Sequence, residues 1–441
     1  MLYSLISAFF GKALDLFYRR RNLETQLPSH GPVLVVANHP NGLIDPIMLM
    51  RISPRPLRFL SKAPLFKLPI IGWLLRSVKA LPVFRAIDGG TTGNSNTFSA
   101  VTAALSSGQT VCLFPEGISH DLPELQPLKT GAARMAFDAE MQPGSSLGLQ
   151  IIPVGLHYRR KTRFRSEAAT QVGEPVLVTD ELKALYAQDQ RAAVRELTAR
   201  IDDAIRLVTV NLDQWDDLPL LEMASQIWTD ENDVLVRLSG MADAQRSFLE
   251  RRPEQITQLR ERILEFGQRL TMLGIDLKDL DLKFRPQSVL TFGLRNILAM
   301  VVGLPLTLLG CLIYGLPYLL VRWVGARPQI EVDVVATVKL LTGMLVYLTW
   351  QLLIIAACAA YLGAVTGLLL GLFMPMLGLY SLHFLERRHE AFRQAIYGLT
   401  LLSRPRLHRR LRRERDAIRS DLDALAKVYQ TNSEEPEGQS P

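Results

Sequence analysis

The chain has 441 residues, 48% of them hydrophobic, and a formal charge of +7. At this length two or more structural units are expected. Cys112, Cys311 and Cys358 stand in apolar runs without paired spacing, which argues against a disulfide framework or a cysteine metal site and for a reducing cytosol around the soluble parts. The hydrophobic excess is concentrated between about Leu290 and Leu385, the distribution of membrane spans rather than of one large soluble core. An Arg-rich positive balance suits an anionic membrane surface or phosphorylated substrates, and on charge alone nucleic acid as well.

At the start, Leu2, Leu5, Ile6, Phe9, Phe10, Ala13, Leu14 and Phe17 recur at spacings of three and four, and Arg19, Arg20 and Arg21 follow. This predicts an amphipathic helix in residues 1–25 that anchors the chain in the plane of a membrane. The alternative is a helix packed on the domain that follows. Residues 1–18 lack a basic leader and a small-residue cleavage site, so they do not read as a signal peptide.

Residues 26–210 alternate short apolar strands with helices. Strands are expected at Val33–Ala37, Leu57–Leu60, Val83–Arg85, Thr110–Phe114, Gln150–Gly155 and Pro175–Val178. Helices are expected over Pro46–Ile52, Pro69–Lys79, Asn96–Ser107, Thr130–Ala139 and 188–210. The pattern predicts an α/β domain, a mixed sheet flanked by helices, with its ligands outside the carboxyl ends of the strands. Residues 211–290 read as a polar helical spacer or cap and carry no recognisable chemistry.

Residues 291–385 read as a transmembrane region with two or three apolar segments, at about 297–321, 340–360 and 363–382. Pro305 and Pro317 interrupt the first; a tight turn is expected near Ala359–Gly367 between the other two, where glycines spaced about four apart favour close helix packing. The tail, 386–441, is basic up to Arg415 and ends in a polar stretch expected to be disordered. The positive-inside rule puts that tail and the basic domain on the cytoplasmic side, which requires an even number of crossings and makes the proline-interrupted segment the candidate re-entrant one.

The chemistry-bearing residues fall at strand ends. The strand at Val33–Ala37 runs into Asn38-His39-Pro40-Asn41-Gly42-Leu43-Ile44-Asp45, a turn with one imidazole and one carboxylate. A histidine there can take a proton near neutral pH, with an aspartate to fix its tautomer; the plainer reading makes both residues turn and cap. Val111–Phe114 leads into Pro115-Glu116-Gly117, where the glycine permits close backbone approach and the glutamate can accept a hydrogen bond. Arg85 ends another strand and suits bidentate phosphate binding, Lys62 offers a second cation, and Pro153 sits in the apolar run Ile151–Gly155. Together these are the means for acyl transfer to a hydroxyl of a phosphorylated acceptor.

Asn38-His39 with Asp45, Phe84-Arg85, Phe114-Pro115-Glu116-Gly117, Lys129-Thr130-Gly131 and Ile152-Pro153-Val154 make residues 25–180 resemble the glycerophospholipid acyltransferase superfamily, the glycerol-3-phosphate and lysophosphatidate acyltransferases. Most of that superfamily has four residues between His and Asp, whereas five separate His39 from Asp45. This variant is similar to fungal-type glycerol-3-phosphate/dihydroxyacetone-phosphate acyltransferases, which also carry extra membrane segments. The resemblance implies His39 as general base and Asp45 as its orienting partner. It further implies acceptor binding by Arg85 with Glu116 and Gly117, assisted by Lys62, and Pro153 on the acyl-donor side. His120 is expected to bond within its own loop.

The implied reaction moves a fatty acyl group from acyl-CoA or acyl carrier protein directly to glycerol-3-phosphate or dihydroxyacetone phosphate. The alternatives are a 1-acylglycerol-3-phosphate or other lysophospholipid acceptor, or a catalytically silent lipid-binding protein. No metal and no cofactor are expected beyond the acyl donor. The expected partners are membrane lipids, the phosphorylated glycerol acceptor and the donor, with no nucleic acid. The expected place is the inner (plasma) membrane, catalytic domain on the cytoplasmic side.

Overall fold

Val33-Leu-Val-Val-Ala37 is apolar at every position and wholly buried, as a strand covered on both faces must be. The computed structural model describes residues 2–21, 26–84, 94–142, 147–228, 253–281 and 286–434, with scattered positions between 238 and 248. The chain divides into one unit of Met1–Asp217, Leu235–Asp243 and Pro328–Leu340, and a second of Leu218–Val234, Ala244–Arg327 and Leu341–Pro441.

The first unit runs α1 (Leu2–Phe17), β1 (Tyr18–Arg21), β2 (Val33–Ala37), α2 (Ile44–Ile52), β3 (Leu57–Lys62), α3 (Pro69–Ser77), β4 (Leu81–Val83) and α4 (Asn94–Ser106). It continues with β5 (Thr110–Leu113), α5 (Gly131–Glu140), β6 (Gln150–Tyr158), β7 (Ser166–Val172), β8 (Val176–Leu177), α6 (Asp180–Gln188) and α7 (Gln190–Val208). The strands form one mixed sheet in the order β1-β7-β6-β2-β5-β3-β4, with β8 on β6. Thus β2 lies between β5 and β6, parallel to both, and β6 is antiparallel to β7 and β8. The registers Val36↔Leu113 and Ala37↔Val154 bring the carboxyl ends of β2, β5 and β6 to one edge.

The expected α/β class is therefore the observed one. Helices α4, α5 and α7 cover the sheet through Val101, Leu105, Phe137, Leu197 and Ile201, packed on Leu34, Val36, Val111 and Ile151. Two strands differ from expectation. Tyr18–Arg21 is not merely the basic end of α1 but a strand paired parallel to β7, and β7 itself, Ser-Glu-Ala-Ala-Thr-Gln-Val, is too small and polar to stand out by pattern. The strand expected at Val83–Arg85 ends at Val83, and Arg85 lies outside the described residues.

In the second unit α8 (Leu218–Trp228) and α9 (Pro253–Met272) belong to the stretch expected to be a spacer. They share a unit with α13 (Pro405–Glu434), and the bonds Trp228 Nε1 to Asp423 at 2.8 Å and Arg269 to Glu414 at 2.9 Å join them to it. The tail is thus helical as far as Glu434, beyond the start of the expected disorder; 435–441 lie outside the described residues.

Among the described residues three helices have the length and apolar composition of membrane spans: α10 (Pro286–Val324, apolar over Ala299–Val324), α11 (Val332–Leu362) and α12 (Ala364–Ser403, apolar over Ala364–Arg388). Helices α11 and α12 are separated by Gly363 alone, at φ +89°. Close approach needs the glycines: a Cβ on Gly367 would meet Ala359 N at 2.3 Å, and one on Gly371 would meet Ile355 Cγ1 at 2.2 Å.

Helix α10 runs unbroken through Pro305 and Pro317, the two residues expected to interrupt it. Proline frees the carbonyl four residues earlier, and in an apolar helix that oxygen needs another donor. For Pro317 the oxygen is Ile313 O, which accepts from Trp350 Nε1 at 2.9 Å. For Pro375 in α12 it is Gly371 O, which accepts from Gln351 Nε2 at 2.5 Å, while Gln351 Oε1 accepts from the Tyr314 hydroxyl at 2.9 Å. Adjacent residues of α11 thus serve both prolines. Gln351→Leu is expected to destabilise the detergent-solubilised protein by about 1 kcal/mol, read as a lower thermal midpoint; an unchanged midpoint would remove that role from Gln351.

Candidate active site

Two loops leave the edge where β2, β5 and β6 end. The first, 38–43, follows β2. Asn38 pins it to β6, donating from Nδ2 to Leu156 O at 3.1 Å and accepting from Leu156 N at 2.8 Å. Gly42 turns the chain at φ +46°, and Ile44 N donates back to Asn41 O at 3.0 Å as α2 begins. This turn spans the five residues between His39 and Asp45 and still brings the side chains together: Nδ1 of His39 is 2.8 Å from Asp45 Oδ2.

Asp45 is completely buried. A carboxylate in that position requires donors, and three are present. His39 Nδ1 and Asn41 N, the latter at 2.7 Å, meet Oδ2, and the Tyr158 hydroxyl donates to Oδ1 at 2.7 Å. Burial, with the Asp45 charge next to it, pushes the Tyr158 phenol well above the usual tyrosine range, so it remains a donor. Burial likewise raises Tyr18, whose hydroxyl donates to Lys161 O and accepts from Asn41 Nδ2 at 3.0 Å.

With Nδ1–H committed to Asp45, the lone pair of His39 sits on Nε2, which no group among the described residues bonds. The ring stacks on Phe114 at 3.9 Å between centroids and keeps 18% of its side chain exposed. The result is an oriented imidazole whose Nε2 has no partner among the described residues.

The second loop, 114–121, follows β5. Glu116 is 3% exposed and faces the protein itself: Oε1 accepts from His39 N at 2.9 Å, and Oε2 from Gln126 N at 2.9 Å and from His120 Nε2. His120 accepts at Nδ1 from Leu122 N at 3.1 Å, which leaves Nε2 to donate to Glu116. Gly117 has φ +74°, and a Cβ there would meet Lys129 Nζ at 2.4 Å. Lys161, from the β6–β7 connection, joins the loops through Pro40 O at 2.7 Å and Asp121 at 2.5 Å.

His39, Asp45, Glu116 and Gly117 thus share one edge of the sheet. Lys62 is exposed at the end of β3, in register with Val83, and Arg85 lies outside the described residues. Pro153 is buried within β6 opposite Val36, and its carbonyl accepts from Gly173 N at 2.9 Å. Among the described residues no cluster of His, Cys, Asp and Glu has the form of a metal site. Sequence reading missed Tyr158, Tyr18 and Lys161. A tyrosine at the end of a strand beside the His turn was the only signal available for Tyr158. The neighbouring His157 is a core residue whose imidazole burial pushes down to about 4.

Residues 19–157 match the family model described as Acyltransferase. Glycerol-3-phosphate O-acyltransferase 2 of Saccharomyces cerevisiae is 29% identical over 187 residues, 41% of this chain and 25% of that protein. An uncharacterized acyltransferase of Schizosaccharomyces pombe is 30% identical over 184 residues, 40% and 27% of the two chains. Glycerol-3-phosphate O-acyltransferase 1 of the same Saccharomyces is 25% identical over 275 residues, 57% and 36%. The matches therefore span between 25% and 36% of these relatives' lengths. The solved 1-acyl-sn-glycerophosphate (LPA) acyltransferase PlsC of Thermotoga maritima aligns with 45% of this chain and 80% of its own at 22% identity and a TM-score of 0.31.

The bonding of Glu116 has a direct consequence. An amide at this position would set its NH2 against either the His39 or the Gln126 backbone N–H, whichever way it turned. Glu116→Gln is expected to cost about 1–3 kcal/mol in thermal or denaturant unfolding. A fully stable Glu116→Gln protein would show that the carboxylate does not hold the loop.

Proposed function

We propose that the protein is a membrane-bound O-acyltransferase that moves a fatty acyl group from acyl-CoA or acyl carrier protein to glycerol-3-phosphate or dihydroxyacetone phosphate. The observation that carries the reading is the His39–Asp45–Tyr158 chain, which leaves a free Nε2 at the edge where three strands end. Nε2 takes the proton of the acceptor hydroxyl as its oxygen attacks the thioester carbonyl. The tetrahedral intermediate collapses, the C–S bond breaks, and the leaving thiolate takes the proton back from the imidazolium. Asp45 holds the ring and stabilises its charged form. The thioester is already activated, so the proposal assigns no resident cofactor, no metal and no acyl-enzyme.

Arg85 and Lys62 are assigned to the acceptor phosphate, Glu116 and Gly117 to the loop beside it, and Pro153 to the donor side. The choice of acceptor draws on two relatives named glycerol-3-phosphate O-acyltransferases and on the five-residue His–Asp spacing. Exposed Leu2, Leu5 and Phe9 on α1 supply an in-plane lipid contact in addition to the apolar helices. The proposal places the catalytic domain and the Arg-rich tail together on the cytoplasmic side of the inner membrane, so that an even number of the three apolar helices crosses it.

Purified full-length protein would be offered labelled glycerol-3-phosphate, dihydroxyacetone phosphate and 1-acylglycerol-3-phosphate, each with palmitoyl-CoA and with palmitoyl acyl carrier protein. Transfer to the first two is expected; exclusive use of the lyso-acceptor would replace the acceptor assignment, and transfer to none would remove the enzyme reading. His39→Ala is expected to abolish turnover, and Asp45→Asn to lower kcat by roughly 10³-fold or more, both in folded protein. Arg85→Ala is expected to raise the KM for the phosphorylated acceptor about tenfold or more, with a smaller effect on kcat. An unchanged KM would take Arg85 out of the phosphate site.

A further inference from the structure

Pro328–Leu340 belongs to the same unit as the acyltransferase domain, although the helix it begins is one of the three apolar ones. Helix α11 has 31 residues, more than the ~20 needed to span a bilayer, and its last charge before the apolar stretch is Lys339. The first two turns meet both catalytic loops. Asp333, 4% exposed, accepts from the Ser119 hydroxyl at 2.5 Å, on the loop that carries Glu116 and His120. Thr337, one turn further, accepts at Oγ1 from Leu43 N at 3.1 Å, on the loop that carries His39. Lys339 donates to Thr162 O at 2.7 Å in the β6–β7 connection.

The Thr337 bond falls where α2 needs it. Leu43 is the N-cap of α2 and has no side chain to cap with. The third helical residue, which in a capping box reaches back to the N-cap N–H, is Pro46. Thr337 supplies that acceptor from another element, two residues before Asp45. Gly42 is fitted to the same helix, since a Cβ there would stand 3.1 Å from Asp333 O and 3.2 Å from Thr337 Oγ1.

We propose that Asp333 and Thr337, in the first turns of α11, are positioning residues for the catalytic dyad, so that the active site is completed by the start of an apolar helix outside the acyltransferase domain of residues 19–157. They touch no reacting atom. Thr337 holds the α2 N-terminus, and with it Asp45, while Asp333 holds the Glu116 loop that bonds His39 N. The inference rests on the reading of His39 as base, and the test separates the two.

The test uses the full chain in detergent or nanodiscs, with Thr337→Val, Thr337→Ser and Ser119→Ala beside His39→Ala. Thr337→Val and Ser119→Ala are each expected to lower kcat about tenfold, with both KM values within about twofold and little change in thermal midpoint. Thr337→Ser, which keeps the acceptor oxygen, is expected to restore kcat to within about twofold of the parent. Should Thr337→Val fail to fold, Ser119→Ala, which removes one hydroxyl oxygen, decides alone. A parental kcat in either variant while His39→Ala is inactive overturns the positioning role and leaves the catalytic reading standing. Losses that follow the melting temperature, or that Thr337→Ser does not rescue, also overturn it. Turnover by His39→Ala would instead overturn the reading of His39 as base.

Discussion

The site depends on the neutralisation of one buried carboxylate. Asp45 has no solvent contact, and the energy of placing its charge there is offset only by three donors held at fixed positions. Two of the donors, the His39 ring and the Asn41 backbone, come from the turn after β2, and the third, the Tyr158 hydroxyl, from the end of β6. Removing any one leaves a buried lone pair unsatisfied, so the sheet edge, the turn and the imidazole orientation are tied together. Tyr18 extends the tie to the N-terminal segment, because its hydroxyl bridges Asn41 and the Lys161 carbonyl.

The second buried carboxylate, Glu116, has a different part. Its oxygens face two backbone N–H groups and the His120 ring rather than open space. It resembles a rivet between the loops more than a group waiting for ligand, whereas His39 Nε2 points to no protein partner among the described residues. The two buried carboxylates thus divide between orienting the His39 ring and fixing the backbone that carries it. Gly117, next to Glu116, gives the loop the left-handed conformation that brings it beneath Lys129.

The parts of this structure that were legible in the sequence are local ones. The apolar runs of β2, β5 and β6 declare themselves, and because parallel neighbours end at one edge, so do the residues just after them. The His39 and Glu116 turns could therefore be set side by side before any coordinates. What was not legible depends on partners far along the chain. Tyr158 is 113 residues from Asp45 and Thr337 is 294 residues from Leu43, and neither tyrosine nor threonine carries a pattern that announces such a bond. Strand β7 lacked the branched and aromatic residues that mark a strand. Pro305 and Pro317 read as breaks because a helix taken alone shows the hydrogen bond that Pro317 removes and not the Trp350 indole that replaces it.

The extra residue between His39 and Asp45 follows the same logic. A longer turn must bulge, and in this chain the bulge is taken up at Gly42, which adopts φ +46°. Its outer side is occupied, since the Asp333 carbonyl and the Thr337 hydroxyl leave space for a hydrogen but not comfortably for a methyl. A free loop of this length would be under no such constraint, and would have no reason to bring His39 to 2.8 Å from Asp45 in preference to its other conformations. The turn acquires its geometry from the helix against which it is folded. The five-residue turn and the start of α11 are thus two sides of one packing contact.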